Sequence, residues 1–169
     1  MATVSRAEAL ATLAEGQAEL DRLVGGMSNG ALARRATIGG GDWSAKDLIG
    51  HIASWEALAL EHIENARAGR PAGNPFGPGG VDQRNAENIE RMAGRSLAEV
   101  RRSAAETHRT LVAAIEALGE ATWTSPVNLS TGKRARLWRL LGGTLGSPTR
   151  LFGHAFAHLP DLRAYAATL

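Results

Sequence analysis

The apolar residues of this chain recur every three or four positions over four long segments, and this spacing restricts the chain to a helical fold. No stretch of useful length alternates apolar and polar residues as a half-buried strand would. The pattern therefore predicts an all-α fold, a four-helix bundle made from the four segments. The segments cover about residues 6–24, 44–68, 96–118 and 147–166.

Two of these segments open with a capping box, in which a serine and an acidic residue three positions later satisfy free backbone N–H groups. Ser44 and Asp47 form the first of these pairs, and Ser96 and Glu99 form the second. We therefore expect the second and third long helices to begin directly after Ser44 and Ser96.

The fourth segment has a different opening, Ser147 followed by Pro148. Serine is a favoured N-cap, and proline is a favoured first helical residue because an N–H at that position has no intrahelical partner. The sequence therefore predicts that the fourth helix begins at this pair. Pro160, farther along the segment, removes one backbone donor and is expected to kink the helix or divide it.

The connections between the segments differ strongly in length. Residues 69–80 read GRPAGNPFGPGG and contain three prolines and five glycines, which excludes both helix and strand. This stretch predicts a long loop, and a short extra helix is expected after it at about Val81–Met92. Residues 119–146 have no clear period and are expected to be irregular, apart from one amphipathic turn at about residues 136–141. The bundle should therefore contain at least one long crossover connection.

Length and composition bound the function. The 169 residues predict a single domain, residues 1–169, and no stretch is apolar enough for a signal peptide or a membrane span. The absence of cysteine excludes disulfides, thiolate catalysis and cysteine zinc sites, and it favours a cytoplasmic location. With a net charge of only +2 and no recognisable reading element, the chain is predicted to bind neither nucleic acid nor membrane.

Three histidines have a spacing that suits a metal ion. His154 and His158 are four residues apart, so both rings leave the same face of a helix. His51 lies on the apolar stripe of the second segment and can point into the bundle. Each histidine alone is more often an ordinary core or surface residue, but their joint occurrence on two helices that should pack together favours a site. Three neutral imidazoles with an open fourth position are typical of catalytic zinc or a similar divalent metal.

Two carboxylates could support such a site. Glu56 follows His51 by five residues and could orient a ligand or act as a general base on bound water. The alternative is a surface glutamate paired with an arginine. Asp161 lies close to one turn after His158 and could accept its free imidazole N–H, or it could be a solvated charge.

Other polar and aromatic residues receive weaker assignments. Trp55 and Asn85 are candidate substrate-pocket residues, although core packing is the alternative for Trp55 and also for Trp43. His62 stands at the polar end of its helix, and His108 has charged neighbours. We expect both of these histidines to be solvated.

Two stretches of the chain resemble a known family. WSAKDLIGHIASWE (residues 43–56) and GHAFAHLPDLRAY (residues 153–165) resemble the paired signatures of the DinB/YfiT-like superfamily, four-helix-bundle proteins to which metalloenzyme activity is attributed. Residues 81–118 are similar to the branch called ClbS/DfsB-type. The resemblance covers about residues 5–166.

The resemblance implies an up-down-down-up bundle, frequent dimerisation, and a divalent metal, often nickel or zinc, held by His51, His154 and His158. Members of the superfamily include thiol-dependent transferases and isomerases, an amide hydrolase, and self-protection proteins that act on reactive natural products. The chain departs from the family in two respects. One is the run LGGTLGSPTR (residues 141–150), which leads into the predicted site and is richer in glycine than expected. The other lies in the fourth helix, where many members of the nearer branch carry glutamate just before each histidine and this chain has Gly153 and Ala157.

Three functions follow as hypotheses. The first is a metal-dependent hydrolase or thiol-dependent transferase that acts on a small electrophilic molecule, with a low-molecular-weight thiol as a second cofactor and a homodimer as the working form. The second is a metal-free binding or self-protection protein that sequesters or opens a reactive natural product. The third is a purely structural helical module.

Overall fold

A computed structural model describes residues 3–39, 41–74 and 79–169 of the chain. Within these ranges the chain forms eight helices and one small antiparallel sheet, which confirms the predicted all-α class. No helix in these ranges combines the length and the apolar character that crossing a bilayer requires.

The strands are β1 (Pro126–Asn128) and β2 (Arg134–Arg136). The helices are α1 (Arg6–Gly25), α2 (Asn29–Ala33), α3 (Ala45–Arg67), α4 (Gly80–Ala93), α5 (Leu97–Glu116), α6 (Glu120–Thr124), α7 (Leu137–Thr144) and α8 (His154–Ala166).

Four of these helices, α1, α3, α5 and α8, make up the bundle. α3 packs most extensively against α5, and α1 packs against α8, while smaller contacts join α1 to α5 and α3 to α8. The capping box of Ser44 with Asp47 precedes α3, and that of Ser96 with Glu99 precedes α5. The predicted starts of these two helices are therefore confirmed.

The buried apolar side chains form two clusters towards opposite ends of the bundle. The first cluster contains residues from the beginning of α1 and from the ends of α3 and α5. The second contains residues from the end of α1 and from the beginnings of α3 and α5. Phe152, just before α8, belongs to the first cluster, and Leu159 within α8 belongs to the second. α1 and α8 therefore run in one direction and α3 and α5 in the other, the up-down-down-up order. Between the clusters lies a polar middle layer, in which Gln17 of α1 and Glu56 of α3 line one small cavity and His108 of α5 contacts Glu56.

The fourth bundle helix begins at His154, so the predicted start at Ser147 and Pro148 is wrong. Ser147 closes a tight turn instead: its hydroxyl accepts a hydrogen bond from the Arg150 N–H at 3.0 Å, and its own N–H donates to the Arg150 carbonyl at 2.8 Å. Phe152 then adopts a left-handed backbone conformation with φ 60°, which an α-helix cannot continue through. The helical path is therefore established only after this turn.

Pro160 lies inside α8, and the helix continues through it to Ala166. Because α8 begins at His154, Pro160 falls in its second turn and costs the helix the one bond that its N–H would have made. Of the two outcomes predicted for Pro160, division of the helix is therefore wrong.

The connections carry more structure than predicted. The short helix after the glycine- and proline-rich stretch is present as α4, and residues 69–74 of that stretch are irregular, while residues 75–78 lie outside the described residues. The sequence predicts that residues 119–146 are irregular apart from one amphipathic turn at about residues 136–141, and α7 lies at that turn. The rest of the stretch contains α6 and the two strands, so its predicted irregularity is wrong. Strands of three residues are too short to produce an alternation signal, and α7 has two glycines in eight residues.

Candidate metal centre

Three histidine side chains converge in the middle layer of the bundle. His51 comes from the second turn of α3, and His154 and His158 come from the beginning of α8. The Nε2 atom of His154 lies 3.1 Å from Nε2 of His51 and 3.2 Å from Nε2 of His158. One nitrogen from each ring lies within 4.8 Å of the others. The structure thus brings together the three histidines that the sequence singles out.

The spacing of these nitrogens suits a tetrahedral metal ion. Zinc binds imidazole nitrogen at about 2.0–2.1 Å, which separates two ligand nitrogens by roughly 3.3 Å at a tetrahedral angle. The nitrogen pairs at 3.1 and 3.2 Å are close to this value. Hydrogen bonding alone accounts less well for the cluster, because a neutral imidazole has a single N–H and Nε2 of His154 faces two other nitrogens. Within the described ranges no fourth histidine, cysteine, aspartate or glutamate joins the group, so a metal held here would keep a coordination position for another ligand.

Burial keeps the three imidazoles neutral. His51 is 2% exposed, and burial together with repulsion from His154 and His158 lowers its pKa to about 2. Burial, followed by repulsion from His158, lowers the pKa of His154 to about 3. Burial also lowers the pKa of His158, although the Asp161 carboxylate opposes this effect. Neutral rings keep their lone pairs available at physiological pH, as metal ligation requires.

Asp161 is not a hydrogen-bond partner of His158 in any described contact. Its Oδ2 atom instead lies against Gly39, 3.2 Å from the position that a β-carbon would occupy there. The role predicted for Asp161 as the acceptor of an imidazole N–H is therefore not found, and its described influence on His158 is electrostatic.

Glu56 lies in the middle layer and is 5% exposed, so the alternative of a surface glutamate is wrong. Its Oε1 atom accepts a hydrogen bond from Nδ1 of His108 at 2.7 Å. This hydrogen bond raises the pKa of His108. The prediction that His108 is solvated is therefore wrong, because its ring turns inward from α5 to pair with a buried carboxylate.

A small cavity lies between α1, α3 and α8, and both Glu56 and His154 line it. Its volume is about 20 Å³, and Thr12 and Gln17 add polar groups to its lining. A cavity of this size has room for about one water molecule. Nδ1 of His154 is buried and has no hydrogen-bond partner among the described residues. The cavity therefore lies between Glu56 and a candidate ligand that has one unsatisfied ring nitrogen.

The two candidate pocket residues contact each other. Nε1 of Trp55 donates a hydrogen bond to Oδ1 of Asn85 at 3.1 Å. The Trp55 ring lies 5.9 Å from the ring of His154 and 6.4 Å from that of His51, and the Arg84 guanidinium lies 5.9 Å from the Trp55 ring centroid. Trp55 is only 5% exposed, so it forms a wall of the histidine cluster rather than an exposed shelf.

His62 is fully buried, and the prediction that it is solvated is wrong. It follows His51 by eleven residues, about three helical turns, and therefore lies on the same face of α3. Neither of its ring nitrogens has a hydrogen-bond partner within the described part of the chain. Burial, assisted by the positive charge of Arg84, lowers its pKa to about 4.

Sequence reasoning also leaves Arg84 and His108 out of the predicted site. His108 follows Ala104 by four residues and precedes Leu111 by three, and both neighbours pack against the apolar clusters. Helical period alone could therefore have placed His108 near the bundle interior. Arg84 reaches Trp55 only through the packing of α4 on α3, for which the sequence has no signal.

The chain resembles known proteins in both sequence and structure. The model of the DinB superfamily matches residues 12–159, whereas no curated protein sequence matches the chain significantly. The crystal structure of an uncharacterised protein from Escherichia coli UTI89 has a TM-score of 0.78 at 15% identity, covering 97% of this chain and 94% of that chain. The mycothiol-dependent maleylpyruvate isomerase has a TM-score of 0.64 at 15% identity, covering 99% of this chain but only 62% of that chain. DfsB, a sibling lethal factor precursor, has a TM-score of 0.61 at 17% identity, covering 98% and 93%.

At identities this low, the structural likeness establishes the fold alone. The family match is a separate line of evidence, because it spans residues 12–159 and includes His51, His154 and His158. The chain therefore belongs to the DinB superfamily.

Proposed function

We propose that this protein is a divalent-metal-dependent enzyme, a hydrolase or a thiol-dependent transferase, that acts on a small electrophilic molecule. His51, His154 and His158 would hold the metal, zinc or nickel, through their Nε2 atoms. The observation that carries the proposal is the convergence of these atoms at 3.1 and 3.2 Å on rings that burial keeps neutral. Membership of the DinB superfamily supports it.

The surroundings of the histidines suit such a reaction. A bound divalent metal supplies Lewis acidity, which brings the pKa of a ligand water or thiol towards neutrality. His51 is buried while His154 and His158 are half-buried, so solvent and substrate would reach the cluster from the side of α8. We assign substrate contacts to Trp55, through its ring, and to Asn85. Because Oδ1 of Asn85 is occupied by Trp55, its amide N–H groups are the ones left for substrate.

Glu56 is proposed as a positioning residue for the metal. Metal-bound histidines usually donate their other ring N–H to a carboxylate, a carbonyl or a water, which fixes the tautomer and the ring orientation. The cavity of about 20 Å³ between Glu56 and His154 can hold one water that accepts from Nδ1 of His154 and donates to Glu56. His108 would hold the carboxylate in place from its other side through the hydrogen bond to Oε1. A general-base role would require Glu56 to reach the open position, directly or through one water.

A low-molecular-weight thiol is proposed as the second cofactor. The chain has no cysteine, so any thiol in the reaction must come from a small molecule. The fold likeness to a mycothiol-dependent isomerase supports this choice. Because this chain spans 62% of the isomerase chain, the substrate and reaction of that protein are not transferred. The homodimer, the cytoplasmic location and the absence of nucleic-acid binding stay predictions.

A metal-free binding or self-protection protein is the second candidate function. The fold likeness to DfsB, which extends over 93% of that chain, favours it. Under this proposal the three imidazoles would hold no ion, and the pocket at Trp55 and Asn85 would bind or open the reactive molecule.

One experiment separates the two functions. Protein purified without an affinity tag is analysed for metal, stripped with a chelator, and titrated with zinc and with nickel. The enzyme proposal expects one ion per chain, and it expects turnover of activated esters or thiol transfer to a maleimide that is lost on stripping and restored by metal. If no metal binds, the metal-dependent enzyme is excluded and the metal-free binding function takes its place. If metal binds but the stripped protein turns over equally well, the metal has no part in the reaction.

A further inference from the structure

A groove of about 380 Å³ lies between α3, α4 and α5, and none of the three converging histidines lines it. Arg84 and Arg91 project into it from α4, and Arg95 follows directly after that helix. Glu61 is the one acidic residue along its described lining. The groove therefore carries a net positive charge on a concave surface.

None of these arginines forms an ion pair in the described structure, where the ion pairs all involve other residues. Arg95 does lie close enough to Glu99 for its charge to help lower the pKa of that carboxyl, so Arg84 and Arg91 are the less neutralised cations. Arg91 and Arg95 donate to neutral acceptors, which are backbone carbonyls and the Asn88 side chain. Arg84 lies over the Trp55 ring. Cations that are not neutralised internally and line a concave surface concentrate the potential that attracts an anion.

The floor of the groove is apolar. Leu58, Met92 and Val100 line it and are each less than 8% exposed. The volume lies within the range of small-molecule sites, which combine apolar walls with a few placed polar groups. A suitable ligand therefore has an apolar body as well as a negative charge.

A chain of hydrogen bonds fixes the polar side of the groove. Arg91 donates to Asn88, a residue only 4% exposed. Nδ2 of Asn88 donates to Oγ of Ser54 at 2.7 Å, and Ser54 donates to the carbonyl of His51 at 2.7 Å. This chain holds α4 in place on α3 and connects the groove to the backbone of a candidate metal ligand.

We infer that this groove is a second binding site, separate from the three histidines, for a small organic anion with an apolar body and a carboxylate or phosphate group. Arg84, Arg91 and Arg95 bind the charged group, and the apolar floor holds the body. Guanidinium groups suit both acids, because their N–H fork matches the oxygens of carboxylate and of phosphate.

Three probes with the same octyl chain test this inference: nonanoate, monooctyl phosphate and 1-octanol. Binding is followed on isotope-labelled protein through backbone amide resonances. We expect at least one of the two anions to bind saturably, at least about tenfold more tightly than 1-octanol, because only an anion gains charge-assisted hydrogen bonds. The anion that binds more tightly identifies the preferred acid. The resonances that shift should belong to α4 and to the turn of α3 around Ser54.

Variants identify the residues responsible. The double substitution Arg84→Gln with Arg91→Gln should abolish the preference for anions, while Arg91→Lys, which keeps the charge, should retain part of it. Arg134→Gln on β2 removes the same charge far from the groove and should change nothing. His158→Ala should leave binding intact, which separates this inference from the proposed metal function. The inference is overturned if 1-octanol binds as tightly as both anions, if Arg134→Gln weakens binding as much as the double substitution, or if the shifted resonances belong to α8.

Discussion

The Nε2 atoms of His51 and His154 lie 3.1 Å apart, although 103 residues separate them along the chain. Tertiary packing sets this distance: α3 packs on α8, and the turn at Phe152 fixes where α8 begins. The apolar clusters lie on both sides of the histidine layer, so the bundle has a core that does not depend on these rings. Loss of metal binding and loss of the fold should therefore be separable by mutation.

His158→Ala should abolish tight metal binding and leave the fold intact. Substitution of a residue that merely orients a metal ligand typically lowers the metal affinity 10–100-fold. Removal of a ligand itself should therefore lower the metal affinity by more than about a hundredfold. His158 is half-buried, and its truncation should change the free energy of unfolding by only about 1–2 kcal/mol. Competition titration with a zinc chelator and urea unfolding measure the two effects.

His62→Ala is the matched control, because it removes the same side chain from the same face of α3 as His51. His62 has no part in the histidine cluster, so the metal affinity of this variant should equal that of the parent protein. Full metal binding by His158→Ala, or its loss in His62→Ala, would mean that other histidines hold the ion.

Glu56→Gln should weaken metal binding by roughly tenfold and lower the pKa of His108. The amide keeps the size of the carboxylate but removes its charge, so the ion pair with His108 is lost and the water-mediated support of His154 becomes weaker. Zinc titration and an NMR titration of the histidine ring protons measure the two quantities.

Glu64→Gln on the exposed side of the same helix is the control for that experiment, and it should change neither quantity. If Glu56→Gln lowers the pKa of His108 but keeps the full metal affinity, Glu56 serves only His108. The positioning role would then be excluded.

The histidine cluster could be predicted from sequence because it depends only on helical geometry. A spacing of four residues puts His154 and His158 on one face, and the apolar stripe of α3 turns His51 inward. The same geometry would have placed His62 on the inner face, three turns after His51, but its position at the polar end of the helix favoured an exposed interpretation. For His108, the charged residues beside it led to the same error. In both cases the helix face is a better guide than the adjacent residues.

The start of α8 could not be predicted, because it depends on tertiary contacts. Ser147 and Pro148 have the local chemistry of a helix start, and only the packing of Phe152 overrides it. The Phe152 ring stacks on Trp123 with centroids 5.8 Å apart and planes at 22°, and this contact comes from a distant part of the chain. The groove at Arg84 and Arg91 likewise exists only because α4 packs against α3 and α5.

Acidification should destabilise the metal-free protein partly through His62. Burial lowers the pKa of His62 to about 4 from the ordinary histidine value of 6.5, so between these values the unfolded chain binds more protons than the folded one. The stability that this group contributes is therefore present above pH 6.5 and is lost as the pH falls towards 4. The loss is about 1.4 kcal/mol per pH unit, or about 3 kcal/mol over the whole window.

Urea unfolding in the presence of a chelator measures this dependence at intervals from about pH 7.5 to about pH 4.5. His62→Leu should flatten the profile, because leucine has no proton to gain. His108→Gln should steepen the profile. The pKa of His108 is raised in the folded state, so this residue stabilises the fold at low pH and loses that effect as the pH rises through its folded-state pKa. Without His108, this opposing contribution is gone. Equal slopes for the parent protein and His62→Leu would mean that folding does not lower the pKa of His62.

Gly142→Ala should destabilise the protein and weaken metal binding together. A β-carbon at this position would lie 2.9 Å from Cε2 of Phe152 and 3.2 Å from Cβ of Leu151. Phe152 cannot easily move away, because its ring is stacked on Trp123 and its backbone is held in the left-handed region. Overpacking of this kind costs about 1–3 kcal/mol.

The neighbouring glycine of α7 provides the control. A β-carbon at Gly143 would meet nothing within 4 Å, so Gly143→Ala should be neutral or should stabilise the helix by about 0.5–1 kcal/mol. Because Phe152 stands two residues before His154, any backbone shift that relieves the clash at Gly142 passes directly to the first ligand of α8. Unfolding by urea and zinc titration of the two variants test this coupling. If Gly142→Ala loses stability but binds zinc as tightly as Gly143→Ala, the turn at Phe152 positions the helix without controlling the histidine cluster.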